Sequence, residues 1–177
     1  DFCLSRGLGD VYKRQTQDIE HNGLTLNGVG NGTTIENIYV LESADDAIEF
    51  FGGTVNVKNL LAVNPDDDMF DFTQGYCGTL NNCYGIWESD YTSTEADPRG
   101  IEADGNFDGL YPNHLRQSDF VVDGMTIVNN AANTTDNVDR MQDVIKIRRG
   151  AKATIKNALV KGTGGAIDLV DMNDGKG

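Results

Sequence analysis

The sequence has no long apolar run and comparatively few basic residues. No segment approaches about 18 consecutive apolar residues, the length that indicates a transmembrane helix, so we expect no membrane insertion. Only 14 Lys and Arg residues stand against 28 Asp and Glu residues, which gives a net charge of −14. Such a charge repels nucleic acid phosphates and anionic lipid but attracts divalent cations. We therefore expect no nucleic acid partner, and calcium becomes a candidate ligand.

Histidine and cysteine are also scarce. His21 and His114 lie in predicted loops without another histidine or cysteine at ligand spacing, so a zinc site is not expected. Cys77 and Cys83 flank a predicted turn in YCGTLNNC. A disulfide between them would fit an oxidising, extracellular compartment, but two buried thiols fit the same spacing.

The first residues differ in character from the rest of the chain. Residues 5–15 (SRGLGDVYKRQ) match the translation of an adapter used to prepare sequencing libraries, and we interpret residues 1–15 as foreign. Without them, 14 basic and 28 acidic residues become 11 and 26, a net charge of −15. We expect residues 16–177 to be a partial domain, with the natural N-terminus missing.

A unit of about 22 residues recurs along the chain, with insertions. One segment carries Asn at a fixed phase: IENI at 35, VKNL at 57, LNNC at 80, VDGM at 122 with Gly instead, and IKNA at 155. The other is a short alternating strand: LTL at 24, IEF at 48, FDF at 70, IEA at 101, IKI at 145 and IDL at 167. Alternation and Gly-rich corners without a helical period predict the coils of a β-solenoid.

The Asn phase and the period resemble right-handed parallel β-helix proteins such as pectate lyases and polygalacturonases, over residues 20–170. This resemblance implies an all-β, single-stranded right-handed parallel β-helix of about six coils, incomplete at both ends, whose partners include neighbouring coils of a longer chain. Asn37, Asn59, Asn82 and Asn157 would then form a ladder at left-handed corners. The runs GVGNGTTIENI and RGIEADGN are similar to those of secreted bacterial β-helix repeat proteins, which implies an extracellular or cell-surface location.

Alternation predicts which side chains point inward: Leu24, Leu26, Ile48, Phe50, Phe70, Phe72, Ile101, Ile145, Ile147, Ile167 and Leu169. The outward column between them is Thr25, Glu49, Asp71, Glu102, Lys146 and Asp168. Three adjacent carboxylates about 5 Å apart require a cation or protons, and calcium would suit them. The alternative is a solvated surface in which Lys146 neutralises Glu102 and Asp168, worth at most about 1 kcal/mol.

A second outward column contains Phe51, Thr73, Asp104, Arg148 and Val170, and it sets Asp104 beside Arg148, as in a salt bridge. The run DGNFDG offers a second calcium hypothesis, because Asp104, Asn106 and Asp108 alternate as in the first half of a calcium loop. Leu115 stands where an EF-hand has its closing Glu, and the same residues also favour an ordinary turn.

Two enzymatic hypotheses come from the resemblance. β-Helix polysaccharide lyases combine calcium with basic residues, and Lys146 and Arg148 fit those roles, with Arg149 beside them to bind an acidic polysaccharide. ADDAIEF resembles the Asp-Asp strand of polygalacturonases, which implies that Asp46 and Asp68 act as paired carboxylates of an inverting glycosidase. However, the Asn-Thr-Asp and Gly-His-Gly runs of that family have no counterpart here.

Aromatic residues border an insertion at residues 88–98. Trp87, Tyr84 and Tyr91 would stack on sugar rings if exposed, or pack beneath the loop if buried. Taken together, these features favour an extracellular or cell-surface module that binds calcium and carbohydrate, without catalysis in this fragment. The alternatives are a polysaccharide-degrading enzyme, either lyase or glycosidase, and a purely structural stalk.

Overall fold

A computed structural model describes residues 21–105, 116–131, 141, 143–162 and 168–173. In chain order, the strands are β1 (Leu24–Asn27), β2 (Thr34–Leu41), β3 (Ile48–Phe51), β4 (Asn56–Val63), β5 (Phe70–Thr73), β6 (Thr79–Trp87), β7 (Ile101–Asp104), β8 (Asp119–Asn129), β9 (Asp143–Arg148), β10 (Lys152–Gly162) and β11 (Asp168–Asp171). Within this part of the chain, no helix has the length and apolarity needed to cross a membrane.

The strands form two parallel sheets that alternate along the chain. The first sheet has the order β1-β3-β5-β7-β9-β11, and the second has the order β2-β4-β6-β8-β10. Each strand therefore pairs with its equivalent one coil away, as parallel stacking of a repeat requires. This arrangement confirms the predicted all-β parallel β-helix.

An asparagine ladder bends each long strand of the second sheet. Asn37, Asn59, Asn82 and Asn157 have φ between 51° and 59°, and Gly124 takes the same phase with φ 80°. Asn tolerates this left-handed conformation better than most residues. The Asn59 amide donates to Asn37 Oδ1 at 2.8 Å, and the Asn82 amide donates to Asn59 Oδ1 at 2.7 Å. The ladder predicted from the repeat is confirmed.

Aromatic rings fill the interior beneath the first sheet. Phe50 and Phe72 stack with centroids 5.1 Å apart, and Phe120 from the second sheet stacks on Phe72 at 4.0 Å. Tyr76 packs against the same rings, and its hydroxyl donates to the Val55 carbonyl at 2.7 Å. All four side chains are fully buried, so the two sheets enclose one continuous core.

The predicted register is confirmed from β1 to β9 but is wrong at β11. Val170 pairs with Ile145 and Asp171 pairs with Lys146, whereas alternation had placed Asp168 beside Lys146. Leu169, predicted to point inward, is 60% exposed, and Ile167 lies outside the described residues. The segment IDLV has apolar residues at three of four positions, so alternation alone does not fix its register.

Both cysteines of the YCGTLNNC segment are free thiols in the structure. Cys83 is buried in the core on β6, whereas Cys77 is half-buried at the preceding corner. Burial raises the pKa of the Cys83 thiol to about 12. Of the two alternatives left open by the spacing, the structure contains the unpaired thiols.

Candidate functional site

A column of acidic side chains follows the outer face of the first sheet. Glu49 is in register with Asp71, and Asp71 is in register with Glu102. Lys146 follows on β9, next to Glu102. The carboxylate column expected from the period of two is thus present on adjacent strands, although Glu102 is only 9% exposed. These groups are not simply solvated surface charges.

Two acidic corners extend this column toward the beginning of β3 and β5. The segments ADDAIEF and PDDDMFDF occupy equal phases, so Asp45 and Asp46 lie beside Asp67 and Asp68 on the next coil. The Asp68 amide donates to Asp46 Oδ1 at 3.0 Å, and the Asp67 amide donates to the Asp45 carbonyl at 3.3 Å. Asp46 and Asp68 are only 5% and 3% exposed.

Three groups of carboxylates bring their oxygens within 4.8 Å of one another: Asp45, Asp46 and Asp67; Asp46, Glu49 and Asp71; and Asp68, Asp71 and Glu102. Asp46 belongs to two of these groups, and so does Asp71. The three groups therefore form one continuous acidic cluster across three coils. Clustered carboxylates of this kind can hold a metal ion.

Several oxygens in the acidic cluster are buried without a hydrogen-bond donor. Within the described part of the chain, no donor reaches Oδ1 of Asp67, Asp68 or Asp71. An unsatisfied buried acceptor costs about 1–3 kcal/mol, and more if the group is charged. Glu49, in contrast, accepts a hydrogen bond from the Asn22 amide. A bound cation or a proton would remove the cost at the unsatisfied oxygens.

The protonation of the acidic cluster reflects its burial. Loss of solvent raises the pKa of Glu49 to about 7 despite the hydrogen bond from Asn22. Burial and the nearby charge of Asp97 raise the pKa of Asp67 to about 8. Burial and neighbouring carboxylates also raise the pKa of Asp46, Asp68 and Asp71 well above the usual range. At neutral pH, the cluster therefore retains protons unless a cation replaces them.

Basic side chains compensate one side of the cluster. Glu102 forms salt bridges with both Arg99 and Arg148. Asp104 accepts from Arg148 Nε at 2.8 Å and from Arg149 Nη1 at 2.7 Å. The predicted salt bridge between Asp104 and Arg148 is confirmed. Charge compensation is thus concentrated at β7 and β9, and among the residues that the structure describes no basic side chain pairs with Glu49 or Asp71.

The comparisons with known proteins bear on the fold and its class. A family model described as a pectate-lyase-like beta helix domain matches residues 11–176. The chain belongs to the pectate-lyase-like β-helix family. No curated protein and no solved structure matches the chain. Family membership supports a carbohydrate-related module, in agreement with the stacked parallel sheets.

In this β-helix family member, the residues considered for catalysis are buried or form salt bridges. Asp46 and Asp68 are buried, so their carboxylates face the neighbouring acids and do not face solvent. Lys146 pairs with Asp171, and its ammonium lies 3.9 Å from Asp143. In one hypothesis Lys146 neutralises Glu102 and Asp168, but Arg99 and Arg148 pair with Glu102 instead. At β11, the shifted register sets Asp171 and not Asp168 beside Lys146.

The other predicted ligand-binding residues have different surroundings. Trp87 is fully buried, and its indole donates to the Pro65 carbonyl at 3.0 Å, so its ring packs under the insertion and does not face a sugar. Arg149 is engaged with Asp104. Asn106 and Asp108, proposed with Asp104 as a calcium loop, lie outside the described residues.

Two functional features were not identified from the sequence. Asp46 and Asp68 were considered as catalytic acids, but the equal phases of Asp45 with Asp67 and of Asp46 with Asp68 also signal a cation cluster. Arg99 was missed because it directly follows the insertion at residues 88–98, in DPRG, where the repeat gives no register. Its guanidinium nonetheless contacts Asp97 at 2.9 Å and pairs with Glu102 in the first sheet.

Proposed function

We propose that this chain is an extracellular or cell-surface β-helix module that binds Ca²⁺ at the acidic cluster and binds carbohydrate. The observation that carries the metal proposal is the set of buried, donor-free oxygens on Asp67, Asp68 and Asp71. Such oxygens need a proton or a cation, and they converge with other carboxylates on adjacent coils.

The donor chemistry favours calcium over softer metals. The ligand atoms in all three carboxylate groups are oxygens, without a sulfur or imidazole nitrogen among them. Calcium prefers six to eight oxygen ligands in adaptable geometry, whereas zinc prefers nitrogen and sulfur. Carboxylates of two coils, supplemented by water, would provide such a shell.

The part of the acidic cluster away from Arg99 and Arg148 is the preferred position for the ion. Asp46, Glu49 and Asp71 form one group, and Asp45 and Asp67 adjoin it through Asp46. Glu102 and Asp104 already have arginine partners, which repel a second cation. We therefore place calcium at Asp46, Glu49 and Asp71, with Asp68 beside them, and assign Glu102 and Asp104 to salt bridges.

The carbohydrate part of the proposal is supported by family membership. The extracellular or cell-surface location rests on the resemblance of runs such as RGIEADGN to secreted bacterial β-helix repeat proteins. The burial of Asp46 and Asp68 supports a binding module over a glycosidase that uses these two residues, because a general acid must reach the glycosidic oxygen.

Calorimetric titration of Ca²⁺ into chelator-treated protein tests the metal proposal. We expect saturable binding that weakens at least about tenfold in Asp71→Asn, because tenfold corresponds to about 1.4 kcal/mol and one charged ligand is lost. The matched control is Asp119→Asn, an exposed acid on the second sheet. If the parent protein binds no calcium, or if both variants bind as the parent does, the metal proposal is wrong.

A further inference from the structure

The outer face of the second sheet carries a row of exposed apolar and aromatic side chains. We call it the tyrosine stripe, and its members are in register on five consecutive coils: Tyr39, Leu61, Tyr84, Thr126 and Leu159. Tyr39 is 59% exposed, Leu61 38%, Tyr84 39% and Leu159 59%. The stripe therefore runs parallel to the solenoid axis and faces solvent.

A second apolar column widens this face. Leu41, Val63, Ile86 and Val128 are in register two residues further along the same strands. The inward side chains of these strands, such as Leu60 and Ala62, already fill the core. Leu41 is 52% exposed, whereas Val63 and Ile86 are half-buried, Val128 is only 6% exposed and Lys161 follows on β10. The exposed apolar area therefore consists of the tyrosine stripe and Leu41, and an area of this kind marks an interaction surface.

The charges that border the tyrosine stripe cancel. On the other side of the asparagine ladder, the in-register outward residues are Glu36, Lys58, Asn81, Asp123 and Lys156. Two acids and two lysines give this column no net charge, in a chain whose net charge is −14. A polyanion would be repelled by the rest of the molecule, and a polycation would prefer the acidic cluster on the first sheet. The stripe is therefore complementary to an uncharged partner.

We propose that the tyrosine stripe binds an extended, uncharged polysaccharide chain that lies along the solenoid axis. This inference rests on the carbohydrate part of the proposed function and specifies its surface and its ligand class. Tyrosine rings stack on the apolar faces of pyranose rings, while their hydroxyl groups bond to sugar hydroxyls. The exposed amides of the asparagine ladder lie beside the stripe and offer further hydrogen bonds.

The spacing of the coils favours a particular chain geometry. Tyr39 and Tyr84 are two coils apart, which corresponds to about 10 Å at the spacing of β-strands. This distance is close to the disaccharide repeat of an extended β-1,4-linked chain, so both tyrosines would meet equivalent sugar faces. Leu61 lies between them and would contact the intervening sugar.

Affinity gel electrophoresis tests the proposal with hydroxyethylcellulose and glucomannan as neutral β-1,4-linked polymers, at a fixed calcium concentration. We expect at least one polymer to retard the wild-type protein, with little dependence on salt. The Tyr39→Ser, Tyr84→Ser double variant should bind at least about tenfold more weakly, because it removes both aromatic rings of the stripe. Leu169→Ser, which changes an exposed apolar residue on the first sheet, should bind as the wild type does.

The possible results separate this inference from the proposed function. If the double variant binds the neutral polymers as well as the wild type, the stripe is not the surface, and carbohydrate binding stands. Binding of polygalacturonate alone overturns the ligand class assigned here. If no polymer retards the wild type, the carbohydrate part of the proposed function fails, together with this inference. A wild-type dimer that the double variant converts to monomer, measured by light scattering, would assign the stripe to self-association.

Discussion

Replacing Asp71 with Asn should stabilise the metal-free protein while weakening its response to calcium. Asp71 belongs to two of the three carboxylate groups, and its buried Oδ1 has no hydrogen-bond donor among the described residues. The substitution keeps the shape of the side chain but removes the charge. It should therefore affect electrostatics much more than packing.

The size of the effect follows from the distances in the cluster. Two full charges 4.8 Å apart repel by about 3.5 kcal/mol at an effective dielectric constant of about 20. Protons on neighbouring carboxylates reduce this value, so we expect a gain of about 2 kcal/mol for Asp71→Asn at pH 8 without metal. For a domain of this size, that gain corresponds to an increase in Tm of about 4–8 °C.

Calcium should reduce the difference in stability between the two proteins. At a free calcium concentration of about one hundred times Kd, binding stabilises the wild type by about 2.7 kcal/mol. The Asn variant should gain much less, because it lacks the carboxylate shared by two groups. If the Kd of the variant is about tenfold higher, the same calcium concentration stabilises it by only about 1.4 kcal/mol. The advantage of about 2 kcal/mol that the variant has in chelator should therefore shrink to about 0.7 kcal/mol in calcium.

Thermal unfolding followed by circular dichroism, in chelator and in calcium at pH 8, measures both effects. Asp123→Asn serves as the control, because Asp123 lies on the second sheet, away from the acidic cluster. Asp123 accepts a hydrogen bond from the Asn157 amide, and an Asn side chain can accept the same bond. A variant that is less stable than the wild type in chelator would show that Asp71 is favourably solvated. A variant that calcium stabilises as strongly as the wild type would show that Asp71 is not a ligand.

Three further measurements test the electrostatics and the packing. In urea unfolding without metal, stability should fall as pH rises from about 4 to about 8. Glu49 and Asp67 have pKa values near 4.5 and 3.8 when unfolded but near 7 and 8 when folded, so the folded state binds more protons than the unfolded state through this interval. A rise in stability would contradict the assigned burial. Asn59→Ala should lower the free energy of unfolding by about 2–3 kcal/mol, because it removes two ladder hydrogen bonds and places Ala at φ 56°. Asn59→Gly should lower it less, because glycine adopts this φ without strain. Equal losses for the two variants in urea unfolding would exclude a conformational contribution. Phe72→Ala should lower the free energy of unfolding by about 3–5 kcal/mol in the same assay, because its ring stacks on Phe50 and Phe120. A decrease below about 1 kcal/mol would mean that the core collapses around the cavity.

Much of the fold could be predicted because the repeat specifies it redundantly. The Asn phase identified the left-handed corners, and alternation around residues such as Phe50 and Phe72 identified the inward faces. The register of β11 was wrong because the segment IDLV is apolar at consecutive positions. Sequence period fixes strand pairing only where a single register buries the apolar residues.

The candidate site was less predictable, because its properties depend on burial between coils. Alternation correctly aligned Glu49 with Asp71, but it could not show that Asp46 and Asp68 turn away from solvent. Arg99 was not identified because the residues around the insertion do not follow the repeat. The sequence also left open whether Trp87 is exposed or buried. The depth of a side chain depends on how a loop folds over its coil, which the period does not encode.

The asparagine ladder has a direction. Each amide donates toward the coil that precedes it in the chain, from Asn82 to Asn59 and from Asn59 to Asn37. Where Gly124 replaces Asn, the Asn157 amide finds its acceptor in Asp123 instead. A coil therefore needs only an acceptor oxygen toward the following coil and a donor toward the preceding one. A duplicated unit that meets this requirement satisfies the ladder on both sides, so this part of the fold allows the number of coils to change by duplication or by design.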